Sequence, residues 1–148
     1  MKYLCPRDFR RGEMEENMFL NQLSNKEKKA FINLSMMISK SNGVFDEAEQ
    51  EMIQAYCKEM EIAFSDSEEA DDIEDIVTVF KTATDHVKRI VILESLGLAY
   101  SDGQLDSKED MLMRSFAEKI GIDEDTYKEI AVLLNKYIMV LKELTAKI

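Results

Sequence analysis

A chain of 148 residues is long enough to form one ordinary domain with a buried core. Its formal net charge of -11 disfavours nucleic acid and anionic membrane surfaces as partners, because both repel an acidic protein at long range. One proline, five glycines and ten methionines, with abundant Leu, Ala, Glu and Lys, predict an all-α protein. No apolar run reaches the roughly eighteen residues of a spanning helix, so we expect no membrane insertion.

Residues 1–19 predict an N-terminal arm. Its first 13 residues show no clear period, so we expect an irregular or short helical segment that packs through Tyr3, Leu4 and Phe9. Cys5 and Cys57 are isolated thiols without metal-ligand spacing, and the chain opens without a secretory leader. We therefore expect a reducing, cytoplasmic setting.

Residues 20–148 predict a single-domain helical bundle of about six to seven helices. Ser24 and Glu27 have capping-box spacing and open a strongly apolar helix. Thr84 or Asp85 opens a second helix of this kind, which extends to about Tyr100. The other predicted helices are shorter or more amphipathic: Glu47 to Met60, Ile73 to Phe80, Ser107 to Lys119, and a C-terminal helix over about 123–147.

The C-terminal helix carries two apolar stripes. The first alternates four and three residues in the manner of a core-facing seam: Tyr127, Ala131, Leu134, Ile138, Leu141, Thr145 and Ile148. The second consists of Leu133, Tyr137, Val140 and Leu144. It either extends the core or contacts an oligomer or partner, and we favour extension of the core.

Three other features have simple structural interpretations. Gly97 inside a predicted helix costs ~1 kcal/mol relative to Ala and predicts close approach of a neighbouring helix. His86, the only histidine, is interpreted as a polar surface residue, since no nucleophile and base form a recognisable pair.

An acidic run precedes and enters the helix predicted from Ile73. It predicts either a solvated helix start or a docking patch for a basic partner, and we favour the solvated helix start. The run consists of Asp66, Glu68, Glu69, Asp71, Asp72, Glu74 and Asp75.

An internal repeat organises the chain. Ser41-Asn42-Gly43-Val44-Phe45-Asp46-Glu47-Ala48-Glu49 recurs sixty positions later as Ser101-Asp102-Gly103-Gln104-Leu105-Asp106-Ser107-Lys108-Glu109. The agreement continues into the following helix, with Tyr56 over Phe116 and Ile62 over Ile122. We therefore predict two pseudo-twofold-related helix-loop-helix halves, at about 24–62 and 84–122. We call the segments 41–49 and 101–109 the first joint and the second joint.

The joints have a structural and a functional interpretation. In the structural one, Asp46 and Asp106 are N-caps, and Glu49 and Glu109 complete capping boxes. An EF-hand is rejected, because the register that fits the glycine and glutamate places Leu98 and Tyr100 where a calcium loop needs oxygen ligands. Helix capping is favoured over a metal site on these residues alone.

The paired joints resemble those of the TerB family, which includes tellurite-resistance proteins and resembles the N-terminal region of membrane-anchored DnaJ-like co-chaperones. The resemblance covers roughly Leu20 to Ile130 and rests on two copies of the pattern Asp or Asn, Gly, any residue, apolar residue, Asp, two residues and Glu. It implies an all-helical fold with repeated halves and a cytoplasmic role linked to metal or oxyanion stress. We expect this role to be non-enzymatic, since the sequence shows no nucleophile with a base, no phosphate-binding glycine loop and no His or Cys metal cluster.

The resemblance also implies a divalent-cation site, with calcium, magnesium, manganese or zinc as the ion. Carried over by position, its ligands are Asp46 and Glu49 from the first joint and Asp102, Asp106 and Glu109 from the second. Asn42 stands where the family pattern commonly has an aspartate. The expected partner is a protein, for instance in a membrane-associated stress-response complex. The alternative is a purely structural or interaction scaffold whose joint acids only cap helices.

Overall fold

The computed structural model describes residues 19–41, 47–62, 72–100 and 105–148, and within these ranges it is helical without strands. A short 3-10 helix, Phe19–Gln22, is followed by six α-helices. They are α1 (Asn25–Lys40), α2 (Glu47–Met60), α3 (Ile73–Lys81), α4 (Asp85–Ala99), α5 (Ser107–Ile120) and α6 (Glu124–Lys147). The predicted helices and the all-α fold class are confirmed.

Short polar side chains accept hydrogen bonds from free backbone amides at the starts of four helices, α1, α4, α5 and α6. Ser24 and Glu27 form the predicted capping box on α1. Thr84 accepts from the Val87 amide at the start of α4. Asp123 accepts from the Thr126 amide at the start of α6. Local hydrogen bonding therefore fixes these helix starts where the sequence predicts them.

The internal repeat extends to the backbone. Helices α2 and α5 contain 14 residues each and end sixty positions apart. Each is followed by a residue with positive φ, Glu61 at 58° and Gly121 at 93°. The next amide then bonds back into the last turn, from Ile62 to the Cys57 carbonyl at 3.0 Å and from Ile122 to the Ala117 carbonyl at 2.9 Å. Both helices thus end in the same Schellman-type turn.

A lysine from the first helix of each half reaches the end of the second helix. Lys28 Nζ donates to the Met60 carbonyl oxygen at 3.1 Å. Lys88, sixty positions later, places its Nζ 3.5 Å from the point that a Cβ at Gly121 would occupy. A cation near the last carbonyls of a helix favours the negative end of its dipole.

Helices α1 and α4 pack against each other at the centre of the bundle. Edge-on aromatic contacts surround them, with ring centroids 5.1 Å apart for Phe31 and Tyr56 and 6.1 Å apart for Phe80 and Phe116. The Tyr56 hydroxyl donates to the Glu94 carbonyl oxygen at 2.9 Å, a bond from α2 in the first half to α4 in the second. The two halves therefore share one core.

Gly97 is buried in α4, and the close approach of a neighbouring helix that we predicted for it is not seen among the described residues. A Cβ added there would meet no atom of the described residues within 4 Å. The predicted reason for this glycine therefore stays a prediction.

Three of the four side chains in the second stripe of α6 do not extend the core, whereas the fourth, Tyr137, packs against it. Leu133 is 64% exposed, Val140 53% and Leu144 49%, while Tyr137 is half-buried. The first stripe already supplies the inner face through buried Tyr127, Leu134, Ile138 and Leu141. One helix presents a single face to one core, so the neighbouring stripe faces solvent.

No helix in the described ranges is both long and apolar enough to cross a bilayer. Residues 1–18 lie outside the described residues, so the N-terminal arm and its boundary with the helical domain stay predictions.

Candidate functional site

Three of the five predicted ligands lie in the described part of the chain. Glu49 is in the first turn of α2, Asp106 is the N-cap of α5, and Glu109 is in the first turn of α5. Asp46 and Asp102 fall outside the described residues. The structure therefore describes each joint only where it forms the start of a helix, α2 or α5.

Asp106 combines a capping role with partial exposure. Its Oδ1 accepts hydrogen bonds from the Lys108 amide at 2.8 Å and from the Glu109 amide at 3.3 Å. The carboxylate thus points one oxygen at the positive end of α5. The capping prediction for Asp106 is confirmed, and this oxygen is already engaged by the backbone.

Glu49 and Glu109 are buried although both are acidic. They occupy equivalent positions, sixty residues apart, and their exposed fractions are 5% and 1%. Glutamate is among the residues least often fully buried, because an ionised carboxylate loses its hydration. Burial at the same place in both halves requires compensation by hydrogen bonds, a proton or a cation.

The described acids do not form a shared metal centre by themselves. Within the described ranges, no group of three His, Cys, Asp or Glu side chains is placed to hold a metal ion. Asp106 and Glu109 lie one helical turn apart, while Glu49 does not complete a group with them. The predicted site stays a prediction, since two of its five ligands fall outside these ranges.

A polar cluster adjoins the second joint. The Tyr127 hydroxyl donates to Asp110 Oδ1 at 2.9 Å, and Arg114 Nε donates to Asp110 Oδ2 at 2.9 Å. The Arg114 guanidinium carbon lies 5.0 Å from the centre of the Tyr127 ring. Burial and the hydrogen bond to Asp110 raise the pKa of Tyr127, and burial followed by the Asp110 charge raises the pKa of Tyr100.

This cluster is absent from the sequence prediction. The spacing of Asp110 and Arg114, four apart on one helix, is a detectable ion-pair signal. The contribution of Tyr127 cannot be detected in the sequence, because Tyr127 lies on another helix and its spacing predicts only a core position. The first half has Gln50 at the position equivalent to Asp110, so the two joints differ chemically.

Residues 60–132 match the family model described as tellurite resistance protein TerB. This part of the chain is TerB-like. The match begins at Met60, the last residue of α2, rather than near Leu20, and ends within α6. No curated protein and no solved structure matches the chain.

The TerB match contains the second joint and leaves the first outside. Asp102, Asp106 and Glu109 lie in the matched range, as do Asp110 and Tyr127. The joint that has an aspartate before its glycine, Asp102 rather than Asn42, is therefore the joint covered by the family model.

The TerB-like domain also has an apolar groove of about 450 Å³ between α4 and α6. Ile90 and Leu93 line one side, Leu133 and Tyr137 the other, and Phe19 lies against them. At its rim, exposed His86 bonds through Nε2 to Gln22 Oε1 at 2.7 Å. The interpretation of His86 as a polar surface residue is confirmed, whereas the groove depends on tertiary packing that the sequence does not reveal.

The acidic run is partly neutralised in the TerB-like fold. Glu74, in the first turn of α3, pairs with Lys119 of α5 at 2.9 Å. Asp72 is the N-cap residue of α3 without a side-chain cap bond. Residues 63–71, which hold most of the run, lie outside the described residues.

Proposed function

We propose that this TerB-like domain is a non-enzymatic stress-response module. In this proposal it binds a divalent cation weakly through the acids of its joints, and it acts through a protein partner. The observation that carries the proposal is the burial of Glu49 and Glu109 at equivalent positions in the two joints. A cation compensates two buried carboxylates more completely than neutral hydrogen-bond donors do.

The second joint is the stronger cation site in this proposal. It offers Asp102, Asp106 and Glu109, while the first offers Asp46 and Glu49, with Asn42 in place of an aspartate. All five proposed ligands are carboxylates. Carboxylate oxygens suit calcium, magnesium and manganese better than zinc, which favours nitrogen and sulfur donors in structural sites.

The alternative is a scaffold whose joint acids only cap helices. It is favoured by the two backbone amides that already bond to Asp106 Oδ1. Under this alternative a cation adds nothing to the stability of the folded domain. The protein partner is then recognised without any change at the joints.

The test is a calorimetric titration of chelator-treated protein with calcium, magnesium, manganese and zinc in turn. The variant Asp106→Asn with Glu109→Gln removes two charges, and Asn still serves as an N-cap, so the helix start is preserved. The matched control is Asp123→Asn, which changes an N-cap of the same kind on α6.

Cation binding predicts saturable heat in the wild type and in the control, and its loss in the double variant. At ten times the dissociation constant, the cation also stabilises the fold by about 1.4 kcal/mol. Binding that persists in the double variant would place the cation elsewhere. Absence of binding in the folded wild type would leave the scaffold function.

A further inference from the structure

The exposed apolar side chains of the described residues are concentrated on one helix. Apart from Met111, every large apolar residue that is exposed there lies on α6 or directly follows it: Val132, Leu133, Met139, Val140, Leu144 and Ile148. A concentration of exposed apolar side chains on one helix is typical of an interaction site.

The outer face of α6 also has an ordered charge pattern. Glu129, Lys136 and Glu143 are exposed and seven residues apart, so they follow one another along the side of the helix opposite the core. Val132 and Met139 flank this column on one side, and Leu133 and Val140 on the other. The column therefore alternates acid, base and acid between two apolar rows.

Helix α6 carries no net charge in an acidic chain. It contains four acids and four bases, and the whole chain has a net charge of -11: Glu124, Asp125, Glu129 and Glu143 against Lys128, Lys136, Lys142 and Lys147. Two copies that approach through α6 consequently meet over a neutral surface. Elsewhere the excess of acids makes the approach of a second copy less favourable.

We propose that the outer face of α6 is a homodimer interface in which two copies of this helix pair antiparallel about a twofold axis near Met139 and Val140. The exposed apolar residues run from Val132 to Ile148, so an axis at their midpoint gives the greatest apolar overlap. Such an interface is isologous, because each copy contributes the same surface.

The charge column selects the antiparallel arrangement. In a parallel pair in register, Lys136 would face Lys136 of the partner subunit. With the antiparallel axis between positions 139 and 140, Lys136 instead lies opposite Glu143 of the partner subunit. The twofold axis then produces this ion pair twice, and Met139 packs beside Val140 of the partner subunit.

The test is the molar mass of the full chain by sedimentation equilibrium between about 5 and 200 μM, because a dimer population depends on protomer concentration. We expect the wild type to change from monomer to dimer in this range or to be dimeric throughout. Lys136→Glu should weaken dimerisation at least about tenfold, since it creates two like-charge contacts. Adding Glu143→Lys to Lys136→Glu should restore the wild-type dimer.

The matched control is Lys26→Glu, which makes the same change of charge at an exposed position in the first turn of α1. Its dissociation constant should equal that of the wild type within about twofold, because acids are tolerated at helix starts. A wild type that stays monomeric overturns the proposal, and so does a double variant that stays as weak as Lys136→Glu. The result is independent of cation binding, because α6 pairing uses none of the joint acids.

Discussion

Glu61 holds a left-handed backbone conformation, with φ of 58°, at the C-terminal end of α2. Gly121 holds the equivalent position after α5 with φ of 93°. A residue with a Cβ is strained in this region by roughly 1–2 kcal/mol, whereas glycine is not. The backbone of this turn is therefore unstrained at Gly121 in the second half of the chain and strained at Glu61 in the first half.

Exchanging the residue types at these positions should have opposite effects on the free energy of unfolding. We expect Glu61→Gly to raise it by up to about 1 kcal/mol and Gly121→Ala to lower it by about 1 kcal/mol. Urea unfolding followed by circular dichroism measures both changes. A Glu61→Gly protein less stable than the wild type would mean that the Glu61 side chain contributes more than its backbone conformation costs.

The helices are predictable because their boundaries are set locally. Ser24, Thr84 and Asp123 bond to amides two or three residues away, and Gly121 ends its helix through its own backbone conformation. The buried state of Glu109 and the exposed state of Leu133 are decided by other helices. Charge alone predicts a solvated Glu109, and hydrophobicity alone predicts a buried Leu133, so the sequence does not reveal either.

Gly97 provides a test at the level of α4. Within the described residues there is room for a Cβ, and alanine is a better helix former than glycine. We therefore expect Gly97→Ala to stabilise the protein by up to about 1 kcal/mol, measured as a rise in the thermal midpoint. The equivalent residue of α1 is Met37, so a side chain is already accommodated at this place in the other half.

Destabilisation by Gly97→Ala would mean that chain outside the described residues fills the space beside Gly97. A matched comparison is Met37→Ala, which removes side-chain volume at the equivalent position of α1 and should destabilise.

Two buried groups make the whole molecule sensitive to alkaline pH. Burial raises the pKa of Cys57 from its ordinary value of 9.0 to about 11, and the pKa of Tyr127 is raised as well. The folded protein therefore keeps these protons at pH values where the unfolded chain loses them. The resulting stabilisation is complete below the unfolded pKa of Cys57 and is lost as pH rises through about 11.

We expect the free energy of unfolding to fall between about pH 9 and pH 11. Cys57→Ala should reduce this pH dependence, because alanine has no proton to lose. The fold should accept the change, since α5 has Ala117 at the equivalent position. Unfolding curves at several pH values for both proteins provide the measurement. An equal slope in both proteins would assign the alkaline loss to Tyr127 or to the acidic surface charge.

The hydrogen bond from the Tyr56 hydroxyl to the Glu94 carbonyl oxygen joins two halves whose helices begin and end with the same kinds of local interaction. Each half has its own capped helix start, its own left-handed turn and its own lysine at the helix end. Helices α1 and α4, which open the two halves, pack against each other. The central contact of the molecule therefore joins equivalent helices, so each half completes the core of the other.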